Sequence, residues 1–547
     1  MKMHIFKRYL LIAVAPALLL FSEGCTDFLE EELISDVSAA SYYTTPKGFE
    51  DAVKAAYTPL KDFYGRERGM SLTCFGTDEF TNGADGSFKS VNFYDQGLNA
   101  TMSIIREVWF SHYGAINQCN AAINRSSKIE GLDEATKNTR LAEIRFLRAL
   151  YYFNATNLWG DVHFQLEETE GVVTEANRTP VKDIMAQGII PDLEFAISNL
   201  PVTQKDYGRA TKPAAEFMLA KVLMTRAYTS YAEGSDAQRA FDLMKGVINN
   251  YSFKLLTDYA KVFDQDNELH SEVVWSVQNT ADQILNAPNG NNSHLYFLME
   301  YDILPGMTRD IANGRPWKRF RPTNWMLEQW DRTKDSRYDK GFKHAFISNR
   351  ADNIPKDANG NPKFTVGDTA VFIPHVEWSS ERVAASRYLV VLPSQYDEKR
   401  FPTVSKFLDP KRPDRQAEAG SRDWMLMRLA DAYLIAAEAA VKMGKMQDAA
   451  DMINVIRRRA AWPGKEKDME ITAADMTLDY VLDERARELF GEMHRWFDLT
   501  RTGKLVERVK KYNPQASAIQ DHHVLRPIPQ EQLDRANDGT YAQNPGY

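Results

Sequence analysis

Cys25 is the residue whose surroundings most clearly predict a chemical modification. Lys7 and Arg8 place positive charge near the start of the chain, an apolar run follows over residues 9–21, and the cysteine comes shortly after it. This order is typical of an export signal, because the run is shorter than the ~20 apolar residues of a membrane span. We expect residues 1–24 to be removed and acyl chains on Cys25 to anchor the mature protein. The alternative is cleavage and release, with Cys25 as an ordinary thiol.

The sequence lacks the familiar catalytic motifs. It contains no GxSxG elbow, Walker loop, HExxH or GxGxxG pattern. His522 and His523 are the only adjacent pair among ten histidines, and we interpret them as surface or loop residues. The 75 acidic residues leave a glycoside hydrolase open as an alternative, because sequence does not give the separation of two carboxylates. We nevertheless interpret the chain as a binding protein and not an enzyme.

Cysteine and carboxylate spacing gives no support for a metal ion or a cofactor. Cys74 and Cys119 remain besides Cys25, and they form either one disulfide or two buried thiols. Neither lies in a CxxC or CxxH spacing, so a structural metal site is not predicted. A calcium ion on loop carboxylates finds no support either, because the sequence contains no carboxylates with the spacing of an EF-hand. We expect no cofactor.

The composition argues against one broad class of partner. The 547 residues carry a net charge of -8, whereas a nucleic-acid partner requires a basic field. No second apolar run approaches the length of a membrane span, so Cys25 and its lipids would be the only anchor. Aromatic residues are abundant, with 24 Tyr, 28 Phe and 10 Trp. They serve either the core or a surface that stacks on the flat C–H faces of sugar rings.

Hydrophobic periodicity predicts a mostly helical chain. Apolar residues recur at i, i+3 and i+4 over residues 104–126 and 133–159, and Gly160 ends the second helix. Residues 180–200 form another predicted helix with proline at its start. A helix over residues 212–231 is expected to begin behind Thr211 as its N-cap.

These helices are expected to pack as pairs. Residues 423–460 contain two apolar faces separated by Gly444, with small alanines that allow close approach, as in a tetratricopeptide-type hairpin. Weaker hairpins are predicted over residues 134–200 and 212–250. Repeated pairs of this kind build a curved scaffold, and a generic helical bundle is the alternative.

The stretch 280–420 has a different character. Asn-Gly and Gly-Asn turns, prolines and short apolar alternations predict loops, small hairpins and short helices there. Residues 64–103 are similarly irregular. We therefore predict one domain over residues 25–547, with a helical scaffold at about 40–280 and 420–547 and an irregular, ligand-facing part between them.

Six sequence blocks, spread over nearly the whole chain, form one pattern. They are CTDFL at 25–29 with AVKAAYTPL at 52–60; RLAEIRFLRALYYF at 140–153 with WGDV at 159–162; GRAT at 208–211; MRLADAYLIAAEA at 427–439; ERARELFGE at 484–492 with RWFDLTR at 495–501; and PIP at 527–529 with QNPGY at 543–547. Together they resemble the SusD/RagB family of outer-membrane nutrient-binding lipoproteins.

This resemblance implies a fold, a location and a partner. The fold would be mostly α, built on tetratricopeptide-like pairs with a loop-rich ligand-binding part. The partner would be a SusC-like TonB-dependent outer-membrane transporter, to which the lipoprotein presents a captured glycan without catalysis. The acidic residues 26–32 are similar to the tag that sends lipoproteins to the cell surface in Bacteroidetes-type bacteria. A peptide or another non-glycan nutrient is the alternative cargo for the same kind of transporter.

Charged residues within the family blocks are predicted to hold the helices together. They lie on or beside apolar helical faces, where a charge persists only when it is paired. We expect ion pairs between helices, and not ligand contacts, from Arg145, Arg148, Arg428, Glu438, Glu484, Arg485, Arg487, Glu488, Arg495 and Asp498.

Trp317 is the first candidate for a ligand contact. The segment GRPWKRFRPT at 314–323 resembles the family's loop that carries a stacking Trp before a Pro-Thr pair. The alternative for so large an aromatic residue is burial in the core. The further candidates, chosen as polar, aromatic or forked-donor residues in loop-like surroundings, are Asp78, Tyr94, Tyr296, Arg321 and Trp378.

Overall fold

The computed structural model shows a mostly helical protein, as the periodicity predicts. The predicted export signal, Cys25 and the acidic residues 26–32 lie outside the residues that it describes. Those residues are 42–171, 173–282, 286, 290–536 and 541–547.

Long helices dominate the first half of the described chain. The longest, Glu134–Trp159, begins behind Asp133, whose carboxylate accepts a hydrogen bond from the Thr136 N–H at 2.9 Å, and ends at Gly160 as predicted. The helices of this half are α1 (Pro46–Tyr57), α2 (Leu60–Phe63), α3 (Glu67–Thr73), α4 (Ser90–Phe93), α5 (Ser103–Arg125), α6 (Glu134–Trp159), α7 (Val181–Ile184), α8 (Ile190–Asn199), α9 (Lys212–Arg226) and α10 (Asp236–Asn249).

Two predicted helices differ in detail from the structure. The helix over 180–200 contains a wide π turn at Met185–Ile189 between α7 and α8. Helix α9 ends at Arg226, earlier than predicted, because the Arg226 guanidinium pairs with Asp236 at the start of α10 and the chain turns back there. Thr211 precedes α9, but its hydroxyl makes no capping hydrogen bond.

The predicted hairpin around Gly444 is present, but its first residues were assigned wrongly. Helices Leu429–Lys442 and Met446–Ala460 flank Gly444, whereas Trp424–Arg428 is a buried strand that pairs antiparallel with Val273–Val277. The helices of the second half are α11 (Asn324–Leu327), α12 (Arg337–Gly341), α13 (Ser380–Ala384), α14 (Leu429–Lys442), α15 (Met446–Ala460), α16 (Leu478–Leu489), α17 (Arg495–Arg501), α18 (Leu505–Tyr512) and α19 (Gln530–Arg535).

Short strands and turns make up the stretch 280–420, as predicted. It has a small apolar core of its own, which includes Met299, Phe346 and Val371. The strands of the described chain are β1 (Phe80–Asn82), β2 (Val273–Val277), β3 (Phe320–Pro322), β4 (Phe342–Lys343), β5 (Ala345–Ile347), β6 (Thr369–Phe372), β7 (Leu389–Val390), β8 (Thr403–Val404) and β9 (Trp424–Arg428). They pair as β1–β3, β2–β9, β4–β8 and β5–β6–β7.

Buried ion pairs join the irregular stretch to the helical scaffold. Arg337 at the start of α12 places its Nη1 2.8 Å from Glu484 and 3.1 Å from Glu488, two carboxylates on α16. Arg428 on β9 reaches Glu488 at 2.7 Å and Glu492 at 2.6 Å. Burial alone would raise the pKa of Glu484 and Glu488, but the guanidinium charges around them hold it well below its usual range.

Similar pairs connect the other helices. Arg148 on α6 donates two hydrogen bonds to Asp192 on α8, at 2.7 and 2.9 Å. Arg485 on α16 bridges Asp431 on α14 and Asp498 on α17, at 2.7 and 2.8 Å. Each of the charged residues named from the family blocks forms an ion pair. The prediction of pairs between helices is wrong for Arg487, whose partner Glu484 lies on the same helix, and for Arg428 and Arg495, whose pairs involve a strand and the loop residue Asp78.

Replacing Arg428 by methionine tests this arrangement. Arg428→Met removes a buried guanidinium that pairs with both Glu488 and Glu492, so we expect the free energy of unfolding to fall by about 3–5 kcal/mol. Arg458→Met is the matched control, because Arg458 on α15 pairs with Glu470 at 2.8 Å while its side chain is 44% exposed. That change should cost about 1 kcal/mol or less. Urea unfolding followed by circular dichroism measures both, and equal losses would contradict the buried-pair account.

Candidate ligand-binding site

Strands β1 and β3 bring the two irregular stretches of the chain together. Phe80 pairs with Pro322 and Asn82 with Phe320, so the loop after β1 lies against the segment before β3. A Cβ on Gly83 would fall 2.1 Å from the Lys318 carbonyl oxygen, so only glycine allows this approach. Residues 64–103 and the stretch 280–420, both predicted to be irregular, therefore meet at one place.

Trp317 lies on the turn that leads into β3. Its backbone N–H donates to the Leu295 carbonyl at 2.9 Å. The next residue, Lys318, has a φ of +45°, a strained conformation for a side chain other than glycine. The Lys318 ammonium is held by Asp85 at 3.1 Å and Glu300 at 2.9 Å. These contacts fix the turn and with it the direction of the Trp317 ring.

Charged groups frame the half-buried ring of Trp317. The guanidinium carbons of Arg319 and Arg315 lie 4.8 and 5.7 Å from the ring centroid. Arg319 pairs with Glu67 at 2.9 Å, and Arg315 pairs with Glu418 at 2.7 Å. Both guanidiniums lie over the ring and cover part of it. The part of the ring that stays exposed and the fixed donors and acceptors beside it suit a ligand that is apolar on one face and rich in hydroxyls at its rim.

The residues around Trp317 were not named from the sequence. Arg315 and Arg319 flank it at two positions on either side, and in an extended segment such residues share one face. This spacing is a sequence signal that could have identified the two arginines as neighbours of the Trp317 ring. Glu67 and Glu418 carried no such signal, because they come from distant parts of the chain.

Asp78 requires a correction, because the structure places its side chain inside the fold. Arg495 contacts the carboxylate through Nε and Nη2, both at 2.7 Å, and Arg508 contacts it through Nε at 2.7 Å. Burial alone would raise the pKa of Asp78, but the two guanidiniums lower it. Its loop position suggested a ligand contact, whereas its partners make it a link between the 64–103 stretch and helices α17 and α18.

Tyr94 and Tyr296 also require correction, because both are buried. Tyr94 donates from its hydroxyl to the Gly76 carbonyl at 2.6 Å. The Tyr296 hydroxyl accepts a hydrogen bond from the Glu67 N–H at 2.8 Å, and its ring centroid lies 6.0 Å from that of Trp317. Tyr296 is therefore a buried neighbour on which the Trp317 ring packs.

Arg321 and Trp378 remain partly exposed. Arg321 lies on β3, and burial lowers its pKa. Trp378 belongs to another group of rings, in which the Arg382 guanidinium carbon lies 3.6 Å from its ring centroid and the Phe372 ring lies 5.4 Å away. Both residues are accessible to a ligand, although Arg382 covers part of the Trp378 ring.

The structure also places the cysteine and histidine residues considered from the sequence. In residues 42–547, outside the gaps stated above, no three His, Cys, Asp or Glu side chains are placed to hold a metal ion. Cys74 and Cys119 are both buried as free thiols, and burial raises the pKa of Cys119 to about 12. His522 and His523 lie in a short turn at Asp521–Val524, and His523 is buried, so only the expectation of a surface position is wrong for it. No helix within the described part of the chain is long and apolar enough to cross a membrane.

The molecule is a mostly α protein of paired helices that carries a partly exposed tryptophan on a turn leading into a short strand. Residues 271–547 match the model of the SusD family. Residues 27–224 match a second family, described as starch-binding and associating with the outer membrane. The chain belongs to the SusD family, and the resemblance seen in its sequence blocks is confirmed.

Similar proteins extend over most of the chain. SusD-like protein P25 of Formosa agariphila is 26% identical over 539 residues, which cover 93% of this chain and 94% of that protein. Starch-binding protein SusD of Bacteroides thetaiotaomicron is 24% identical over 449 residues, which cover 76% and 74%. The solved structure of a laminarin-binding SusD-like protein has a TM-score of 0.70 at 21% identity and covers 92% of this chain and 100% of its own.

The corrected role of Asp78 leads to a measurable expectation. Asp78→Asn should lower the free energy of unfolding by about 3–5 kcal/mol, because Arg495 and Arg508 lose a buried partner. Asp85→Asn is the control, since Asp85 is 48% exposed beside Lys318 and its loss should cost about 1 kcal/mol or less. Thermal unfolding measures both. An Asp78→Asn protein as stable as wild type would restore Asp78 as a candidate for ligand contact.

Proposed function

We propose that the protein is a cell-surface glycan-binding lipoprotein that captures oligosaccharide or polysaccharide at Trp317. The observation that carries this proposal is the partly exposed Trp317 ring beside Arg315 and Arg319 on the loop side of the scaffold. Two similar proteins support it by their names, one being starch-binding and the other laminarin-binding.

The ring and its neighbours have complementary tasks in this proposal. The C–H face of a pyranose stacks on Trp317, while the Arg and Glu side chains at the rim exchange hydrogen bonds with sugar hydroxyls. Each hydrogen bond replaces one to water, so the affinity of a single site is modest, about micromolar to millimolar. Arg321 and Trp378 are further contacts for a longer glycan. No bond is made or broken in the ligand.

Delivery completes the proposed role. Lipid on Cys25 holds the protein at the outer membrane facing outward, and the captured glycan passes to a SusC-like TonB-dependent transporter. A polysaccharide ligand is held by several weak contacts at once, and it leaves each of them quickly. This exchange suits a protein that hands its cargo on.

The role of Trp317 is tested by removing its ring. Trp317→Ala should weaken binding of the best glycan in a panel by about tenfold or more, because the stacking surface is lost. Trp317→Phe should retain part of the affinity. Trp462→Ala, at another half-buried tryptophan, is the matched control and should leave binding unchanged. Isothermal titration calorimetry measures all three, and an unchanged affinity in Trp317→Ala would show that the site lies elsewhere.

Lipid attachment is tested separately in cells. The wild-type protein should incorporate labelled palmitate and fractionate with the outer membrane, whereas Cys25→Ala should do neither. Cys119→Ala provides the control for labelling of another cysteine. A mature wild-type chain with an unmodified Cys25 would exclude the anchor but leave glycan binding untouched.

A further inference from the structure

A cleft outside the Trp317 loops opens beside Tyr207. Two adjoining cavities, of about 250 and 230 Å³, share Tyr207, Gly208, Arg209 and Ser276 in their walls. Tyr207 is 45% exposed, although a tyrosine usually buries most of its ring. Its side chain therefore stands between two spaces that are each large enough for part of a small ligand.

The wall that carries Tyr207 is rigidly held. Gly208 has a φ of +89°, and a Cβ there would fall 2.3 Å from the Gln278 side chain. The Trp275 indole N–H donates to the Gly208 carbonyl at 2.9 Å, and Gln278 donates to the Ser276 hydroxyl at 2.8 Å. The exposed ring thus projects from a fixed backbone, which reduces the entropy that a ligand must overcome.

The larger cavity has a cationic wall in an acidic protein. Lys54, Lys61 and Arg209 line it, and none of its described lining residues is an Asp or a Glu. The whole chain, in contrast, carries a net charge of -8. This local reversal of sign favours an anionic ligand.

Lys61 is a cation of this wall whose charge no described carboxylate pairs with. Arg209 already pairs with Glu50 and with Glu143 at 3.1 Å, and Lys54 lies 3.9 Å from Glu50. Lys61, by comparison, forms no ion pair with any described residue. Burial lowers its pKa, and the more distant charge of Asp423 offsets this only in part. An ammonium that is partly desolvated and unpaired gains from an anion in the cleft.

We propose that this cleft binds an acidic sugar unit, with its ring against Tyr207 and its carboxylate or sulfate group at Lys61. The inference rests on the proposed glycan-binding function and narrows the ligand class to glycans that carry negative charge. It assigns a second contact point, separate from Trp317, on the helical scaffold.

The two contact points are linked by a short stretch of chain. Lys61 lies on α2, and Glu67, whose carboxylate pairs with Arg319 beside Trp317, begins α3. They are six positions apart in the sequence, so their Cα atoms lie at most about 22 Å apart. A glycan long enough to span from Tyr207 to Trp317 would contact both places, and binding at one would raise its effective concentration at the other.

Calorimetry on the full mature chain tests the proposal with three hexasaccharides. Hexagalacturonate carries carboxylates, a carrageenan-derived hexasaccharide carries sulfates, and laminarihexaose is neutral. We expect at least one acidic probe to bind about tenfold more tightly than the neutral one and to weaken as salt is added. The acidic probe that binds more tightly identifies which anionic group the cleft prefers.

Variants then locate the binding. Lys61→Met should weaken the acidic complex about tenfold and leave laminarihexaose unaffected, and Lys61→Arg should restore most of the loss. Tyr207→Ala should weaken the acidic complex as well. Lys467→Met, at an 89% exposed lysine, is the control for a general change in charge.

The outcomes separate this proposal from the one on which it rests. If the acidic probes bind no better than the neutral one, or if Lys61→Met leaves their affinity unchanged, the cleft proposal is wrong while Trp317 keeps its role. If Trp317→Ala abolishes acidic binding while Lys61→Met and Tyr207→Ala leave it unchanged, the charge is recognised at Trp317 and the cleft proposal is again wrong. If a folded wild-type protein binds no glycan at all, both proposals fail.

Discussion

The buried carboxylate of Glu488 is the contact on which the arrangement of the chain depends. It accepts hydrogen bonds from Arg428 at 2.7 Å and Arg337 at 3.1 Å, and it also pairs with Arg459. These arginines come from a strand, from the irregular stretch and from helix α15, so three separate elements converge on one side chain of α16. A fully buried charge is tolerated only when it is paired. Loss of any one of these elements from the structure therefore destabilises the others.

The loop side of the molecule takes its position from a second buried carboxylate. Asp78 ties the first irregular stretch to Arg495 on α17 and Arg508 on α18. The strand that follows Asp78 pairs with β3, and β3 in turn fixes the turn that carries Trp317. The sugar-facing ring of the proposed function is therefore oriented by charges that no ligand touches.

The sequence predicts the helical scaffold well because the signals for a helix lie within a few neighbouring residues. Apolar spacing and the glycine after Trp159 give the long helices, and the charges of the family blocks are paired as their burial requires. The local pattern predicts helix at Trp424–Arg428, where the structure has a strand, because only a distant partner, β2, holds it extended. For the same reason the sequence wrongly indicates a ligand contact at Asp78, since its burial depends on a helix more than four hundred residues away. The role of Trp317 in binding stays a prediction.

The pairing of Asp78 with Arg495 also bears on how the chain reaches its native state. Thr81 likewise bonds with Gln515, and Leu72 with Arg526, so the early loops are completed only by the last tenth of the sequence. Contacts between such distant positions are slow to form, because the entropy of closing a long loop opposes them until late in folding. We therefore expect the loops around Trp317 to be completed late in folding, once the residues around Arg495, Gln515 and Arg526 are in place.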